Sequence, residues 1–222
     1  MPEKILLSWS GGKDSAMALY ELQKTLPYQI AALLTTVTDG FDRISMHGVR
    51  VALLEQQAAA LGLPLQKVYI PPGATNAVYE ARLGMALATY QQEGVRAIAF
   101  GDLFLADIRR YREQYLAGLG MAGVFPIWGR DTAQLARTLL ALGFRAVTVC
   151  VDPRVLDVSF VGQIIDEHFL RQLPPSVDPC GENGEFHSFV FDGPLFRRPV
   201  PFVTGAVVLR DSFYFCDLLP VV

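Results

Sequence analysis

Apolar residues recur along this chain in two rhythms. Short apolar runs, read as strands at 5–8, 30–37, 65–70 and 96–100, alternate with stretches of helical spacing at 15–24, 49–61 and 76–92. Gly62 and Gly94 stop the second and third of these helices. Strands alternating with helices of this length predict βαβ units, and with them a doubly wound parallel sheet of the α/β class. Further on, a helix is expected over 107–119. Another starts at the capping-box sequence Asp131-Thr132-Ala133-Gln134 and runs to Leu142, with Gly143 as its stop. A strand at 145–151 precedes a helix over 161–173, where Ile164, Ile165, Phe169 and Leu173 repeat at helical spacing and Pro174-Pro175 ends the run. The tail, 200–209 and 213–219, is β-rich and turned at Arg210-Asp211-Ser212. The 222 residues suffice for one α/β domain plus a smaller appendage, with a border expected near Trp128.

Doubly wound sheets bind ligands beyond the carboxyl ends of their strands. Three segments should gather at that edge. Between the first strand and its helix lies Ser10-Gly11-Gly12-Lys13-Asp14-Ser15. A glycine turn opening a helix aims backbone N–H groups at one point and binds an anion. Gly11 and Gly12 admit close approach of a phosphate, Lys13 supplies a positive charge, and Ser10 and Ser15 supply hydroxyl donors. The string is neither a Walker loop, since Lys13 is followed by Asp14, nor a Gly-x-Gly-x-x-Gly dinucleotide loop. Thr35, Thr36, Thr38 and Asp39 follow the second strand, and Gly101-Asp102 follows the fourth. Asp102 can meet Mg²⁺ or a substrate amine, or merely cap the next turn.

A second constellation is 179–188, where Gly181 and Gly184 hold Glu182, Asn183, Glu185 and His187 on one short loop. Such groups orient a nucleophile, move protons or hold Mg²⁺. The competing reading is a polar turn before the strand 189–191. Arg109 and Arg112, i and i+3 in a polar stretch with Asp107, Tyr111 and Glu113, can bind phosphate or a substrate carboxylate, or form an exposed salt-bridged face. Trp128 reads as core or as a flat stacking partner, and His47 as a loop residue with or without a ligand.

Composition narrows the picture. With 51% hydrophobic and 18% charged residues, the chain suits a parallel sheet covered on both faces. No apolar run approaches the ~20 residues of a membrane span. After Met1-Pro2-Glu3-Lys4 the apolar run stops at Ser8, so no signal peptide is expected and a cytoplasmic location follows. A net charge of −3 without a Lys/Arg block gives a nucleic-acid surface little support. Cys150, Cys180 and Cys216 form no Cys-x-x-Cys pair, which disfavours disulfide, zinc and iron–sulfur readings.

The string Ser10 to Ser15 resembles the PP-loop of the ATP pyrophosphatases, which split ATP between its α and β phosphates. Taken with Gly101-Asp102, Tyr111-Arg112-Glu113, Pro126-Ile127-Trp128 and the run 181–187, the chain resembles the diphthine–ammonia ligase family from about Lys4 to Pro199. The resemblance implies an ATP-binding domain of the adenine nucleotide α-hydrolase-like (HUP) type at 1–128 and a smaller α+β acceptor domain at 129–222. It implies adenylation of a carboxylate by ATP with Mg²⁺, release of pyrophosphate and AMP, and amidation with ammonia. In archaea and eukaryotes the carboxylate is diphthine on translation elongation factor 2. The compact form, with Thr35-Thr36-Val37 and the run 44–50, resembles the family's bacterial branch, for which the acceptor is open. On this reading Lys13, Asp102, Glu182, Glu185 and His187 are catalytic. Ser10 to Ser15, Thr35, Thr36 and Gly101 bind ATP, Asp14 and Asp102 hold Mg²⁺, and Arg109, Tyr111, Glu113, Trp128 and Asn183 bind substrate. Two rivals stay open: a PP-loop enzyme acting on a tRNA base or small metabolite, and a nucleotide-binding protein without turnover. A homodimer is equally open.

Overall fold

A computed structural model describes residues 2–24, 28–44 and 48–221. The His47 expectation therefore lies outside the described residues. The chain begins with β1 (Glu3–Ser8), α1 (Lys13–Lys24), β2 (Tyr28–Thr38) and the short β3 (Arg43–Ile44). Next come α2 (Val51–Leu61), β4 (Leu65–Ile70), α3 (Asn76–Gln92), β5 (Ala97–Ala99), α4 (Ala106–Gly118) and β6 (Ala122–Val124). β1 pairs in parallel with β2 and β5, β2 with β4, and β5 with β6, while β3 alone is antiparallel to β2. Read across, the parallel strands run β4-β2-β1-β5-β6. The chain winds outward from β1 in one direction and returns on its other side, so the switch point lies between β1 and β5. This is the α/β architecture expected from the alternation.

Strand β1 shows why the sheet needs both faces covered. Leu6 joins a cluster with Leu34, Val68, Ile98 and the α3 and α4 residues Leu83, Leu87 and Leu116. Ile5 and Leu7 point the other way, into a larger cluster with Met17 and Leu19 of α1 and Leu53 and Leu54 of α2. The period of two along a strand produces this division.

That larger cluster continues into the second half of the chain, through Val147, Phe186 and Phe189. After α5 (Thr132–Ala141), a five-stranded antiparallel sheet forms around β7 (Arg145–Val151). It comprises β8 (Ile164–Ile165), β9 (Phe186–Asp192), β10 (Phe202–Arg210) and β11 (Phe213–Pro220), with α6 (Glu167–Gln172) at its side. The Asp131 cap behaves as its sequence predicts, its Oδ1 accepting the Gln134 N–H at 2.7 Å.

The continuous helix expected over 161–173 is not formed. Ile164 and Ile165 pair with Val147 and Ala146 as β8, and Asp166 then caps a new start by accepting the Phe169 N–H at 2.8 Å. Pairing satisfies the two isoleucines' backbone groups against a buried strand, and this outweighs a helical spacing they also fit. Among the described residues no helix is long and apolar enough to cross a membrane.

Candidate active site

The phosphate loop leaves β1 at the switch point and is held from three sides. Gly11 adopts φ +77°, and a Cβ there would stand 2.8 Å from Gln57 Oε1. Both facts demand glycine. The Gly11 carbonyl accepts hydrogen bonds from Gln57 Nε2 and from the Val190 N–H of β9, each at 2.9 Å. Gln57, fully buried on α2, also donates to the Val190 carbonyl at 2.6 Å and accepts from Trp9 Nε1 at 2.9 Å. Sequence reasoning missed Gln57. Its signal was a polar residue on the apolar face of Val51–Leu61. Within the loop, Ser15 Oγ donates to the Gly12 carbonyl at 2.9 Å, and the Lys13 N–H donates to Ser188 Oγ at 3.2 Å.

A polar chamber of about 180 Å³ opens beside the loop, lined by Ser10, Lys13, Asp14 and Ser15, by Gly101, Asp102 and Arg112, and by Gly181, Glu182, His187 and Ser188. Gly101 makes this closeness feasible: a Cβ there would sit 2.7 Å from the Asp14 carbonyl carbon and 2.9 Å from Ser15 N. Lys13 is 4% exposed. Its Nζ pairs with Asp14 Oδ2 at 2.9 Å, donates to the Cys180 carbonyl and lies 5.1 Å from the Phe186 ring centre. Burial pulls its pKa down, but Asp14 and neighbouring groups outweigh that and the net shift is upward, so the ammonium stays charged. It joins the two halves of the chain rather than swinging free.

Asp14 and Asp102 fit a divalent cation. Asp14 Oδ1 and Asp102 Oδ2 are buried without a hydrogen-bond partner. Arg112 Nε lies 3.0 Å from Asp102 Oδ2, an ion pair whose geometry falls short of a hydrogen bond. Burial first, and the Asp14 charge as a lesser cause, push Asp102 upward against the pull of Arg112; burial likewise raises Asp14 against the pull of Lys13. A cation between two such carboxylates would relieve both. Among the described residues no group of three metal-ligating side chains occurs. Phosphate oxygens would have to complete the shell, which is how Mg²⁺ is commonly held with nucleotides.

The loop 181–187 divides its two carboxylates. Glu182 lines the chamber, and its Oε1 accepts the Leu103 N–H at 2.7 Å. Burial, with Asp14 and Asp102 adding to it, pushes Glu182 up to about 7 against the pull of the backbone N–H groups. Glu185 turns away from both cavities. It is 5% exposed and accepts from Asp178 N at 3.0 Å, Asn183 N at 3.0 Å and Asn183 Nδ2 at 2.9 Å. Glu185 and Asn183 thus brace the loop against each other, and neither lines a cavity. His187 and Ser188 stand on β9, not in the loop as the sequence suggested. Burial, and secondarily Lys13, lower His187 to about 4, so its imidazole is neutral at neutral pH.

The chamber adjoins a cleft of about 950 Å³, lined by Thr35, Thr36 and Ile70 on one side and Tyr79, Phe100, Tyr111 and Tyr115 on the other. Tyr111 donates to Glu80 Oε1 at 2.8 Å and is pushed up to about 12, by burial first and then by that carboxylate. Arg109, Glu113 and Trp128 line neither cavity. Arg109 pairs with Glu113 at 2.8 Å and lies 4.7 Å from the ring centres of both Phe125 and Trp128. Cys150, Cys180 and Cys216 are buried free thiols.

The sequence model of the diphthamide synthase N-terminal domain matches residues 3–122, and that of the C-terminal domain matches 131–212. The chain belongs to the diphthamide synthase family. Its relatives include human diphthine–ammonia ligase, 26% identical over 234 residues, covering 94% of this chain and 86% of that protein. The Schizosaccharomyces pombe diphthine–ammonia ligase is 25% identical, covering 97% of this chain but 38% of its own length. Among solved structures, phosphoadenylyl-sulfate reductase from Candida auris superposes with a TM-score of 0.37 at 17% identity, over 64% of this chain and 73% of that one.

Proposed function

We propose that this member of the diphthamide synthase family is an ATP-dependent ligase that adenylates a carboxylate and amidates it with ammonia. One observation carries the reading: the phosphate loop and the loop 181–187 wall the same chamber, with Lys13 N–H donating to Ser188 Oγ and Lys13 Nζ to the Cys180 carbonyl. Triphosphate on the loop would lie within reach of Asp14, Asp102 and Glu182. Bound Mg²⁺ would screen phosphate charge there. The loop N–H groups and the Lys13 charge stabilise the departing pyrophosphate. Activation is needed because a carboxylate is a poor electrophile, and AMP is a good leaving group once ammonia attacks. Glu182, with its pKa near the working pH, takes the proton from the incoming nitrogen. His187 contributes a neutral imidazole and Thr35 and Thr36 flank the adenosine. We assign ATP binding to 1–128 and the acceptor to 129–222, the acceptor being a carboxylate of the diphthine kind in a cytoplasmic protein. The HUP type of the first half belongs to the same proposal.

The test is a reaction with α-labelled ATP, Mg²⁺, ¹⁵N-ammonium and a diphthine-bearing elongation factor. AMP, pyrophosphate and ¹⁵N-amide are expected. ADP and phosphate as products would overturn the reading.

A further inference from the structure

Chamber and cleft meet at a neck, and four residues line both: Ser8, Ser10, Arg112 and His187. The chamber, at about 180 Å³, is smaller than the roughly 300 Å³ at which small-molecule pockets begin. A nucleotide whose phosphates rest on the loop would therefore straddle the neck. Its pyrophosphate end belongs with the loop N–H groups in the chamber, and its nucleoside in the cleft. The α-phosphorus then falls at the neck. Of the four residues there, two are neutral hydroxyls and one is an imidazole kept neutral by burial. Arg112 is the cation among them.

We propose that Arg112 binds the α-phosphate and stabilises the charge that develops on it. The proposal rests on the ATP-dependent reading above and names the residue acting at its reacting atom. In the step, a carboxylate oxygen bonds to the α-phosphorus while the bond to the bridging oxygen of the β-phosphate breaks. The electron pair leaves with pyrophosphate, and negative charge stays on the α-phosphoryl oxygens facing the guanidinium.

The side chain is placed for this by β5. Asp102, just past its end, pairs with Nε at 3.0 Å, and the Phe100 ring lies under the guanidinium at 4.2 Å. That use of Nε leaves the two terminal NH₂ groups, the pair that grips a phosphate in fork geometry. Arg109, one turn earlier, is spent on Glu113 and on the Phe125 and Trp128 rings, so the two arginines do not act as one cluster.

The experiment compares AMP with adenosine by calorimetric titration in wild type, Arg112→Gln and Arg112→Lys, without acceptor. AMP carries the α-phosphate alone, so the ratio of the two affinities isolates it. Wild type is expected to prefer AMP. Arg112→Gln should weaken AMP by about ten- to a hundred-fold and leave adenosine unchanged, with Arg112→Lys intermediate. An AMP affinity equal to wild type in Arg112→Gln overturns the proposal, as does an equal loss for adenosine, which marks a merely structural role. A wild type that binds both alike overturns it too. Should Arg112→Gln fail to fold, Arg112→Lys decides, since an unchanged AMP-to-adenosine ratio there refutes the two-pronged contact. The ligase reading stands or falls separately, on the products of ATP cleavage.

Discussion

Exchanging Glu185 for Gln alters a single side-chain position without changing its size, and the structure says what that exchange costs. Oε1 accepts from Asp178 N at 3.0 Å and Asn183 Nδ2 at 2.9 Å, and Oε2 accepts from Asn183 N at 3.0 Å. An amide keeps the first two only by placing its NH₂ against the Asn183 N–H, donor to donor. The opposite orientation opposes two donors instead of one. The cheaper choice forfeits one charge-assisted hydrogen bond, that from the Asn183 N–H at a part-buried position, about 1.5–3 kcal/mol. For a chain of this length each kcal/mol moves the melting midpoint by about 2–4 °C, so Glu185→Gln should melt roughly 3–12 °C lower. Urea titration and thermal melts give the global number, and hydrogen exchange at Asp178 and Asn183 reports the loop itself. Glu182→Gln is the companion variant, because Glu182 faces the chamber and its loss should fall on turnover. A Glu185→Gln midpoint within about 0.5 kcal/mol of wild type, with unchanged amide exchange, would refute the bracing role.

Gly101→Ala should cost about 1–3 kcal/mol and weaken ATP binding, because its Cβ would press on the backbone of Asp14 and Ser15 at 2.7–2.9 Å; Gly118→Ala on α4, with nothing within 4 Å, should be neutral or stabilising in the same melts. His187 should make stability pH-dependent. Its folded pKa of about 4 lies below the ordinary 6.5, so between those values the unfolded chain holds a proton that the folded chain lacks. Stability therefore falls as pH drops through that window, and wild type should lose about 3 kcal/mol relative to His187→Gln between pH 6.5 and 4. Glu182, raised to about 7, slopes oppositely: its contribution is present at low pH and is lost as pH rises from 4.5 to 7, an effect that solvent screening makes shallower. A pH-independent difference between wild type and His187→Gln would mean that the imidazole is not buried neutral.

The sheet that carries the phosphate loop was legible because buried parallel strands are unbroken apolar runs, and the 65–70 strand appears with those bounds. β6 escaped notice because three residues, one of them glycine, make no pattern, and β8 because two adjacent isoleucines fit a helix as well as a strand. The chamber's chemistry was legible by residue type and not by direction. Nothing local distinguishes Glu182, which faces the chamber, from Glu185 three residues later, which is buried in its own loop. The spacing of Arg109 and Arg112 placed both on one face, yet two side chains one turn apart found different partners, Trp128 for one and Asp102 for the other. Gln57 stood out only as a polar residue on an apolar helix face, and its role was not legible for a related reason: its partners, Trp9, Gly11 and Val190, come together only in the finished fold.

The phosphate loop leaves the ribosome well before the residues that brace it: Ser188, 175 residues later, supports Lys13, and Val190 supports Gly11. At about 5–20 residues per second, that interval lasts roughly 9–35 s. During it the glycine loop has no β9 to rest on, and Lys13 has no Cys180 carbonyl to hold its charge. A nascent chain therefore has no finished nucleotide site with which ATP could guide the folding of its first half. An N-terminal fragment made alone would lack the same two supports, however complete its parallel sheet. The loop has all its supports only once the strand that begins at Phe186 lies against the turn that follows β1.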